Sequence, residues 1–431
     1  MKHLLLGDEA IAQGAIDAGL SGVYAYPGTP STEITEYIQL GEKRKGDEAK
    51  GMIFCQWATN EKTAMEGALG MSYMGKRAMV CMKHVGMNVC ADAFMNAAIT
   101  GVNGGLVVVA ADDPSMHSSQ NEQDSRFYAK FAMIPCLEPS NQQEAYDMMH
   151  YAFDLSEALK TPILMRVTTR MAHSRAVVEL IDTPREQNTA SAPENVQHFI
   201  LLPAFARKNY AELVEAQDDF ISTSEQSHFN SYTKGTNPKK AILTTGIAYN
   251  YLMEAKPNLE ETVLKVTQYP LPKALIDQMV ADGAEEILVM EEGQPVVEEL
   301  IRGMVPSSVA VKGRLTGDLP RMGELTPDCV SLALSPDSLI ASSPLNLSIY
   351  PSAVCAHFSM TYGRCFSCRQ KKRLFSSRHA VSSTPTTTSM PASCIILTPR
   401  PATCGLGSNV PTTTLPMPLR IINSAQGGVL P

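Results

Sequence analysis

Glu61 is the residue of this sequence whose type and position best suit acid–base chemistry. It follows Asn60, a residue favoured at helix N-termini, and it precedes apolar residues at helical spacing. A carboxylate in the first turn of a helix is commonly only a favourable partner of the helix dipole. The functional alternative is a buried carboxylate that shares a proton with a ring nitrogen of a bound heterocycle, where desolvation raises its pKa and the helix terminus opposes that rise.

Three further segments carry side chains that could contact a ligand, and each follows an apolar stretch typical of a strand. The first contains Tyr26, Pro27, Gly28 and Thr29, the second Lys83 and His84, and the third Ser119 and Arg126. Glycine lets a ligand approach the backbone closely, and an arginine can bind a carboxylate through two parallel hydrogen bonds. Each segment also has a purely structural explanation: a rigid turn, a solvated loop and a surface salt bridge, respectively.

Alternating strand and helix patterns predict a parallel α/β sheet over the first 180 residues. The predicted strands cover 23–26, 52–57, 78–82, 106–111 and 163–167, and the predicted helices cover 8–19, 60–74, 88–100 and 141–159. Ligands bind beyond the carboxyl ends of the strands in such sheets. We therefore expect the segments around Tyr26, Glu61, Lys83 and Ser119 to form one wall of a crevice.

A polar segment without this rhythm separates the first region from a second, smaller α/β unit. Residues 180–238 are predicted to be a linker with one helix near 206–219, and the second unit begins at Lys240. Its predicted strands at 241–245, 262–266 and 286–291 alternate with predicted helices at 247–255, 272–282 and 294–303.

The residues after Asp337 differ in composition from the rest of the chain. They contain no Asp or Glu, eight Lys or Arg, and 35 Ser, Thr or Pro among 94 residues. Such a composition does not favour burial of a core. One explanation is a natural, disordered basic tail, and the other is a change of coding frame near residue 340. The complete lack of acidic residues favours the second.

Composition argues against nucleic acid or a membrane as a partner. Residues 1–337 hold all 44 acidic and 28 of the 36 basic side chains, so their net charge is −16. No run of 18 or more apolar residues is present and the N-terminus turns acidic at once, so a cytoplasmic location is expected. The scattered Cys55, Cys81, Cys90, Cys136 and Cys329 predict reduced, buried thiols.

Metal and phosphate motifs are largely missing from the sequence, and no residue is assigned as a metal ligand. There is no P-loop and no G-x-G-x-x-G between a strand and a helix. The pair Gly317-Asp318 has no carboxamide ligand nearby, and Cys365-x-x-Cys368 has no second cysteine pair that would complete a zinc site.

Taken together, the segments resemble the alpha subunit of indolepyruvate:ferredoxin oxidoreductase, one of the thiamine-diphosphate-dependent 2-oxoacid:ferredoxin oxidoreductases. The matching motifs follow one another in the family's order over roughly residues 1–335. They lie at 5–10, 26–33, 60–62, 82–88, 111–124, 201–204 and 291–293.

The resemblance implies domains and residue roles. Residues 1–180 would be a pyrimidine-binding domain, 181–239 a linker, 240–335 a transketolase-C-like domain, and 336–431 an irregular tail. Glu61 would hydrogen-bond the aminopyrimidine of thiamine diphosphate and so promote loss of the thiazolium proton. The implied pocket residues are Tyr26, Pro27, Gly28 and Thr29, and the implied substrate contacts are Thr29, Lys83, His84, Ser119 and Arg126.

The reaction implied by the resemblance is oxidative decarboxylation of an aryl 2-oxoacid such as indolepyruvate to its acyl-CoA. Electrons would pass to ferredoxin through [4Fe-4S] clusters that lie outside this chain, and a beta subunit would complete a dimeric assembly. The family's magnesium- and diphosphate-binding elements are not readable here, so this chain alone is expected to be inactive. Another thiamine-dependent decarboxylase or synthase and a non-catalytic scaffold stay open as alternatives.

Overall fold

The computed structural model describes residues 1–45 and 52–335 of the chain. The predicted tail at 336–431, with Cys365 and Cys368, lies outside the described residues.

The strands within the described residues are labelled in chain order. They are β1 (Lys2–Leu6), β2 (Gly22–Ala25), β3 (Phe54–Trp57), β4 (Ala78–Lys83), β5 (Leu106–Asp112), β6 (Cys136–Leu137), β7 (Ile163–Thr168), β8 (Arg175–Glu179), β9 (Ser231–Thr233), β10 (Asn237–Thr245), β11 (Glu261–Val266), β12 (Gln268–Tyr269), β13 (Glu286–Met290) and β14 (Ala310–Lys312).

The α-helices of the same part of the chain are labelled likewise. They are α1 (Gly7–Asp17), α2 (Thr32–Lys45), α3 (Glu61–Tyr73), α4 (His84–Thr100), α5 (Arg126–Ala132), α6 (Gln142–Leu159), α7 (Thr169–His173), α8 (Pro203–Glu215), α9 (Gln217–Glu225), α10 (Ala248–Ala255), α11 (Lys273–Ala281), α12 (Val296–Ile301) and α13 (Pro327–Leu334).

A seven-stranded sheet organises the N-terminal region, in the order β12-β6-β7-β5-β4-β2-β3. The strands from β6 to β3 in this order run parallel, and only β12 at the edge is antiparallel to its neighbour. The parallel α/β sheet predicted from the sequence is therefore confirmed. The four strands that precede the candidate segments, β3, β2, β4 and β5, are neighbours, so their carboxyl ends meet along one edge.

Helices cover both faces of this sheet because its central strands are apolar on both sides. Every residue of β5 is buried, as its unbroken apolar sequence predicts. On one face the core includes Ile11 of α1, Ile34 of α2 and Phe153 of α6. On the other face it includes Met65 of α3 and Phe94 of α4.

A five-stranded sheet forms the second unit, in the order β14-β13-β10-β11-β9. Its strands β10, β11 and β13 match the predicted strands, and β9 adds an antiparallel edge within the predicted linker. The short strand β12 follows β11 directly but pairs with β6 of the first sheet. The proposed domain boundaries at 180 and 240 stay a prediction.

The helix predicted near 206–219 is present as α8, but the prediction of a single helix is wrong, because α9 follows it in the same segment. Polar side chains of this segment form hydrogen bonds with the backbone around β12, which its composition alone does not predict. The Ser224 hydroxyl donates to the Gln268 carbonyl at 2.9 Å, and Asn230 Oδ1 accepts from the Thr267 and Gln268 amides at 2.7 and 2.9 Å. These polar side chains therefore satisfy the buried backbone around β12.

The five described cysteines are thiols, as predicted, although Cys55 and Cys329 are only half-buried. Burial raises the pKa of the Cys90 thiol to about 12, and the nearby Glu61 carboxylate adds to this rise. No helix of the described residues is long and apolar enough to cross a membrane.

Candidate functional site

A cleft of about 470 Å³ opens at the carboxyl edge of the first sheet. Segments that follow β2, β3, β4 and β5 contribute to it, as the sequence predicts. Its lining residues are Tyr26, Thr59, Asn60, Glu61, Val85, Asn88, Val89, Gln120 and Asn121. The cleft thus has an apolar side and a side rich in amides, with a single carboxylate.

Glu61 owes its place in the cleft to the start of α3. The Asn60 side chain caps this helix by accepting a hydrogen bond from the Thr63 amide at 3.0 Å, as the sequence predicts. Glu61 is consequently the first helical residue, and the residue as a whole is only 7% exposed. Within the described residues, no donor forms a hydrogen bond or ion pair with its carboxylate. Its carboxylate oxygens are not among the fully buried atoms that lack a partner, so they face the open cleft and are available to a ligand.

The approach of α4 fixes the depth at which Glu61 lies. A Cβ added to Gly86 would stand 2.7 Å from Glu61 Oε1 and 2.6 Å from its Cγ, far inside van der Waals contact. The absence of a side chain at position 86 therefore gives the Glu61 carboxylate its space. Such a cradle around an unpartnered oxygen that borders the cleft fits a ligand that brings an N–H group to this carboxylate.

The turn after β2 contributes less to the cleft than the sequence predicts. The Gly28 amide donates to Thr32 Oγ1 and the Ser31 amide donates to the Gly28 carbonyl, both at 2.9 Å, which closes the turn at the start of α2. Tyr26 lines the cleft and is 40% exposed. Pro27, Gly28 and Thr29 are not among the lining residues of the cleft, and their contact with a cofactor stays a prediction.

Lys83 and His84 do not line the cleft. Both contact the loop that follows β5, through the Ser118 and Asn121 carbonyls. The Lys83 ammonium donates to the Ser118 carbonyl at 3.2 Å, and its stem packs on Gly28, where an added Cβ would stand 2.9 Å from Lys83 Cδ. The His84 ring is fully buried, with Nε2 at 3.1 Å from the Asn121 carbonyl. Their predicted loop is wrong, because β4 ends at Lys83 and α4 begins at His84.

Ser119 belongs to a loop that is held by Asp113. The Asp113 carboxylate accepts hydrogen bonds from the Ser119 hydroxyl at 2.6 Å, the Ser118 amide at 2.9 Å and the Thr169 hydroxyl at 2.8 Å. Burial alone would raise the pKa of Asp113, but these donors bring it below its ordinary value. The Ser119 hydroxyl thus already has a partner, and the loop presents Gln120 and Asn121 to the cleft.

Arg126 is not at the cleft, and its interpretation as a surface salt bridge is also wrong. Its guanidinium is buried and forms ion pairs with Asp124 at 2.5 Å and with Glu291 at 2.9 Å. It also donates to the Glu292 carbonyl at 3.2 Å. Glu291 and Glu292 follow β13 of the second sheet, more than 160 residues along the chain, so local sequence could not indicate them.

A second buried arginine, Arg166 of β7, extends the same network. It pairs with Asp112 at 2.6 Å, lies 3.4 Å from Asp124, and contacts Glu138. Burial alone would raise the pKa of Asp124, but the charges of Arg126 and Arg166 lower it to about 2. Burial raises the pKa of Asp112 and of Glu291 in spite of their arginine partners, and the negative charge of Asp124 adds to both rises.

The sequence leaves the lining residues Val85 and Val89 unassigned, whereas it predicts that Asn88, together with Lys83 and His84, offers a donor to an anion. Val85, Asn88 and Val89 lie at positions i, i+3 and i+4 of α4 and so share one face of that helix. The predicted helix began only at Asn88, which concealed the pattern. Tyr128 of α5 then orients the amide, since its hydroxyl donates to Asn88 Oδ1.

The family described as pyruvate flavodoxin/ferredoxin oxidoreductase, thiamine diphosphate-binding, matches residues 13–268, which is more than half of the chain. The chain is 42% identical over 310 residues to indolepyruvate oxidoreductase subunit IorA of Pyrococcus horikoshii, covering 70% of this chain and 47% of that protein. It is 38% identical over 341 residues to the protein of the same name from Methanothermobacter thermautotrophicus, covering 78% and 54%. The chain thus spans about half the length of these relatives.

Among solved structures, the chain is similar to 2-oxoglutarate:ferredoxin oxidoreductase from Magnetococcus marinus, solved with 2-oxoglutarate, coenzyme A and succinyl-CoA bound. The TM-score is 0.61 at 17% sequence identity, and the match covers 78% of this chain and 65% of the other. This likeness confirms the predicted fold class.

Replacement of Arg126 by Met tests how much the buried network contributes to the free energy of unfolding. The substitution keeps an unbranched apolar stem but leaves Glu291 without its ion-pair partner and Asp124 with only Arg166 at 3.4 Å, so the free energy of unfolding should fall by about 3–5 kcal/mol. Chemical unfolding at neutral pH measures this change. The deficit should shrink as the pH falls from about 4 towards 2, because Asp124 becomes protonated in the unfolded and then in the folded state.

Arg185→Met is the matched control, because Arg185 forms a bidentate pair with Asp154 at 2.6 and 2.9 Å on the surface. Its loss should cost less than about 1 kcal/mol. Equal effects of the two substitutions would show that the buried network does not carry the stability assigned to it.

Proposed function

The chain belongs to the pyruvate flavodoxin/ferredoxin oxidoreductase family with its thiamine diphosphate-binding fold, and on that premise we propose that Glu61 contacts the aminopyrimidine of this cofactor. The observation that carries the proposal is that Glu61, a residue only 7% exposed, turns its carboxylate to the cleft without a donor among the described residues. An aminopyrimidine supplies such a donor, and a carboxylate in this environment can share a proton with a ring nitrogen.

The remaining lining residues have roles in this proposal that follow from their chemistry. Tyr26, Val85 and Val89 form an apolar surface against which a flat ring can pack. Asn88 and Gln120 offer amide groups that can orient polar atoms of a ligand. His84 supports them indirectly, because its contact with the Asn121 carbonyl holds the loop that follows β5.

When bound, thiamine diphosphate would supply the carbanion stabilisation that decarboxylation of a 2-oxoacid requires. The residues of this chain would bind and orient the pyrimidine end and would hold a proton at the Glu61 carboxylate. We assign the magnesium- and diphosphate-binding half of the site to no described residue. The Gly317-Asp318 pair is not assigned to it either. The Asp318 carboxylate accepts a hydrogen bond from the Thr316 hydroxyl at 2.6 Å.

For the substrate, we propose an aryl 2-oxoacid such as indolepyruvate. The names of the relatives support this assignment. The cleft supports it too, since no Lys or Arg is among its described lining residues while Tyr26, Val85 and Val89 are. A substrate with a second carboxylate would be expected to meet a cationic side chain, and Arg126, the predicted candidate, is committed to Asp124 and Glu291.

The complete enzyme of the proposal contains more than this chain. We propose a beta subunit as partner, coenzyme A as acyl acceptor, and ferredoxin as electron acceptor through iron–sulfur clusters carried outside the described residues. Residues 1–180 would act as the pyrimidine-binding domain, with the linker at 181–239 and the transketolase-C-like domain at 240–335. The word subunit in the relatives' names supports the partner, and the coenzyme A in the similar structure supports the acceptor.

Replacement of Glu61 by Gln in the enzyme assembled with its beta subunit tests the proposal. The amide cannot share a proton with the pyrimidine as a carboxylate does, so oxidation of indolepyruvate should fall by at least about a hundredfold. Glu66→Gln on the same helix is the matched control, because Glu66 is exposed, and it should leave the rate unchanged. An unchanged rate in the Glu61 variant would contradict the proposal and would favour the non-catalytic scaffold.

Gly86→Ala tests whether the depth of Glu61 matters for the same reaction. The new methyl group would overlap Glu61 Oε1 and displace the carboxylate, and a misplacement on this scale can reduce the rate by about a hundredfold. Gly70→Ala is the matched control, because no heavy atom lies within 4 Å of an added Cβ there. Equal activity of the two alanine variants would show that the cradle at Gly86 is not needed.

A further inference from the structure

Asp8, Glu33 and His173 form a cluster of potential metal ligands outside the cleft. They lie in the first turn of α1, in the first turn of α2 and at the end of α7. One ligand atom of each side chain lies within 4.8 Å of the other two, and Glu33 Oε2 is 3.6 Å from His173 Nε2. None of the three lines the cleft that contains Glu61.

The Asp8 carboxylate lacks a partner that its burial demands. Its side chain is fully buried, and neither oxygen accepts a hydrogen bond from any described residue. The groups that face it include the carboxylates of Glu33 and Glu9, which repel a second negative charge. A buried carboxylate in this position needs either a cation or a proton to neutralise it.

The backbone holds this cluster in a fixed arrangement. Helix α1 begins against α7 so closely that a Cβ at Gly7 would stand 2.0 Å from the Met171 carbonyl oxygen. The Gly7 amide donates to the Ser174 carbonyl at 3.2 Å, and Gln142 of α6 donates to the same carbonyl at 2.9 Å. Asp8 and His173, which adjoin these contacts, are therefore presented by packed helices and not by a loose loop.

An ion could reach the cluster from solvent. The Glu33 and His173 side chains are 34% and 21% exposed, whereas Asp8 closes the inner side. Water can complete the coordination on the open side, as is usual for ions held by three protein ligands.

We propose that Asp8, Glu33 and His173 bind a divalent transition-metal ion. One imidazole nitrogen and two carboxylates form a ligand set that suits zinc, iron(II), cobalt(II) and manganese(II). With metal–ligand distances of roughly 2.0–2.2 Å, neighbouring ligands of a tetrahedral ion lie about 3.5 Å apart, close to the separation of Glu33 and His173. The ion would link three helices and would neutralise Asp8.

Cobalt(II) is the probe, because its visible absorption reports the kind of ligand that it binds. The full chain is freed of metal with a chelator, dialysed against cobalt chloride, and assayed for bound cobalt and for its spectrum. We expect a site with nitrogen and oxygen ligands, whose spectrum lacks the charge-transfer band of thiolate ligands. This distinction excludes cysteine sites elsewhere in the chain.

Asp8→Asn and His173→Gln should each weaken binding at this site at least about tenfold, and each should abolish the rise in melting temperature on cobalt addition. Glu36→Gln is the matched control on α2, because Glu36 is exposed, and it should bind as the unsubstituted chain does. The partly exposed His173 keeps the test informative if Asp8→Asn fails to fold. Binding that is absent in the unsubstituted chain, or equal in all four proteins, would overturn the proposal and leave a proton as the occupant.

Discussion

Two buried arginines and the carboxylates around them are the constraint on which the rest of this structure depends. Arg126 and Arg166 hold Asp124 between them, and through Glu291 and the Glu292 carbonyl they connect the first sheet with the end of β13. Charges buried this deeply cost several kcal/mol each unless they are paired. The chain can bury them only in an arrangement that brings distant segments together, so the network specifies one relation between β5, β7 and β13.

The adjacent residues Asp112 and Asp113 connect this network to the candidate site and help to fix the site's geometry. Asp112 points into the network and binds Arg166, whereas Asp113 binds the loop that carries Ser118 and Ser119. That loop in turn meets the Lys83 side chain and presents amides to the cleft. The Glu61 carboxylate faces these groups from α3 with no donor from the described residues. Hydrogen bonds thus connect the loops that form the wall of the cleft, while the carboxylate of Glu61 is left for a ligand.

Local patterns predicted the parallel sheet, the Asn60 cap and the position of Glu61, because each depends on a few neighbouring residues. They failed where distant residues decide the outcome. Arg126 was interpreted as a surface or ligand-binding residue, because its partner Glu291 follows a strand of the second sheet and is distant in sequence. The start of α4 was missed because Gly86 has low helix propensity, yet the helix includes it and begins at His84. The lack of hydrogen-bond donors to the Asp8 carboxylate could not be predicted, since a sequence does not show which buried polar atoms lack partners.

The central proposal is that the Glu61 carboxylate in the cleft binds the aminopyrimidine of thiamine diphosphate. The most direct measurement is an experimental structure of this chain, assembled with its beta subunit, with the cofactor and magnesium bound. We expect a Glu61 carboxylate oxygen at hydrogen-bonding distance, about 2.6–3.2 Å, from a pyrimidine ring nitrogen, with α3 and α4 in place. A pyrimidine bound away from the cleft, with Glu61 still unpartnered, would contradict it.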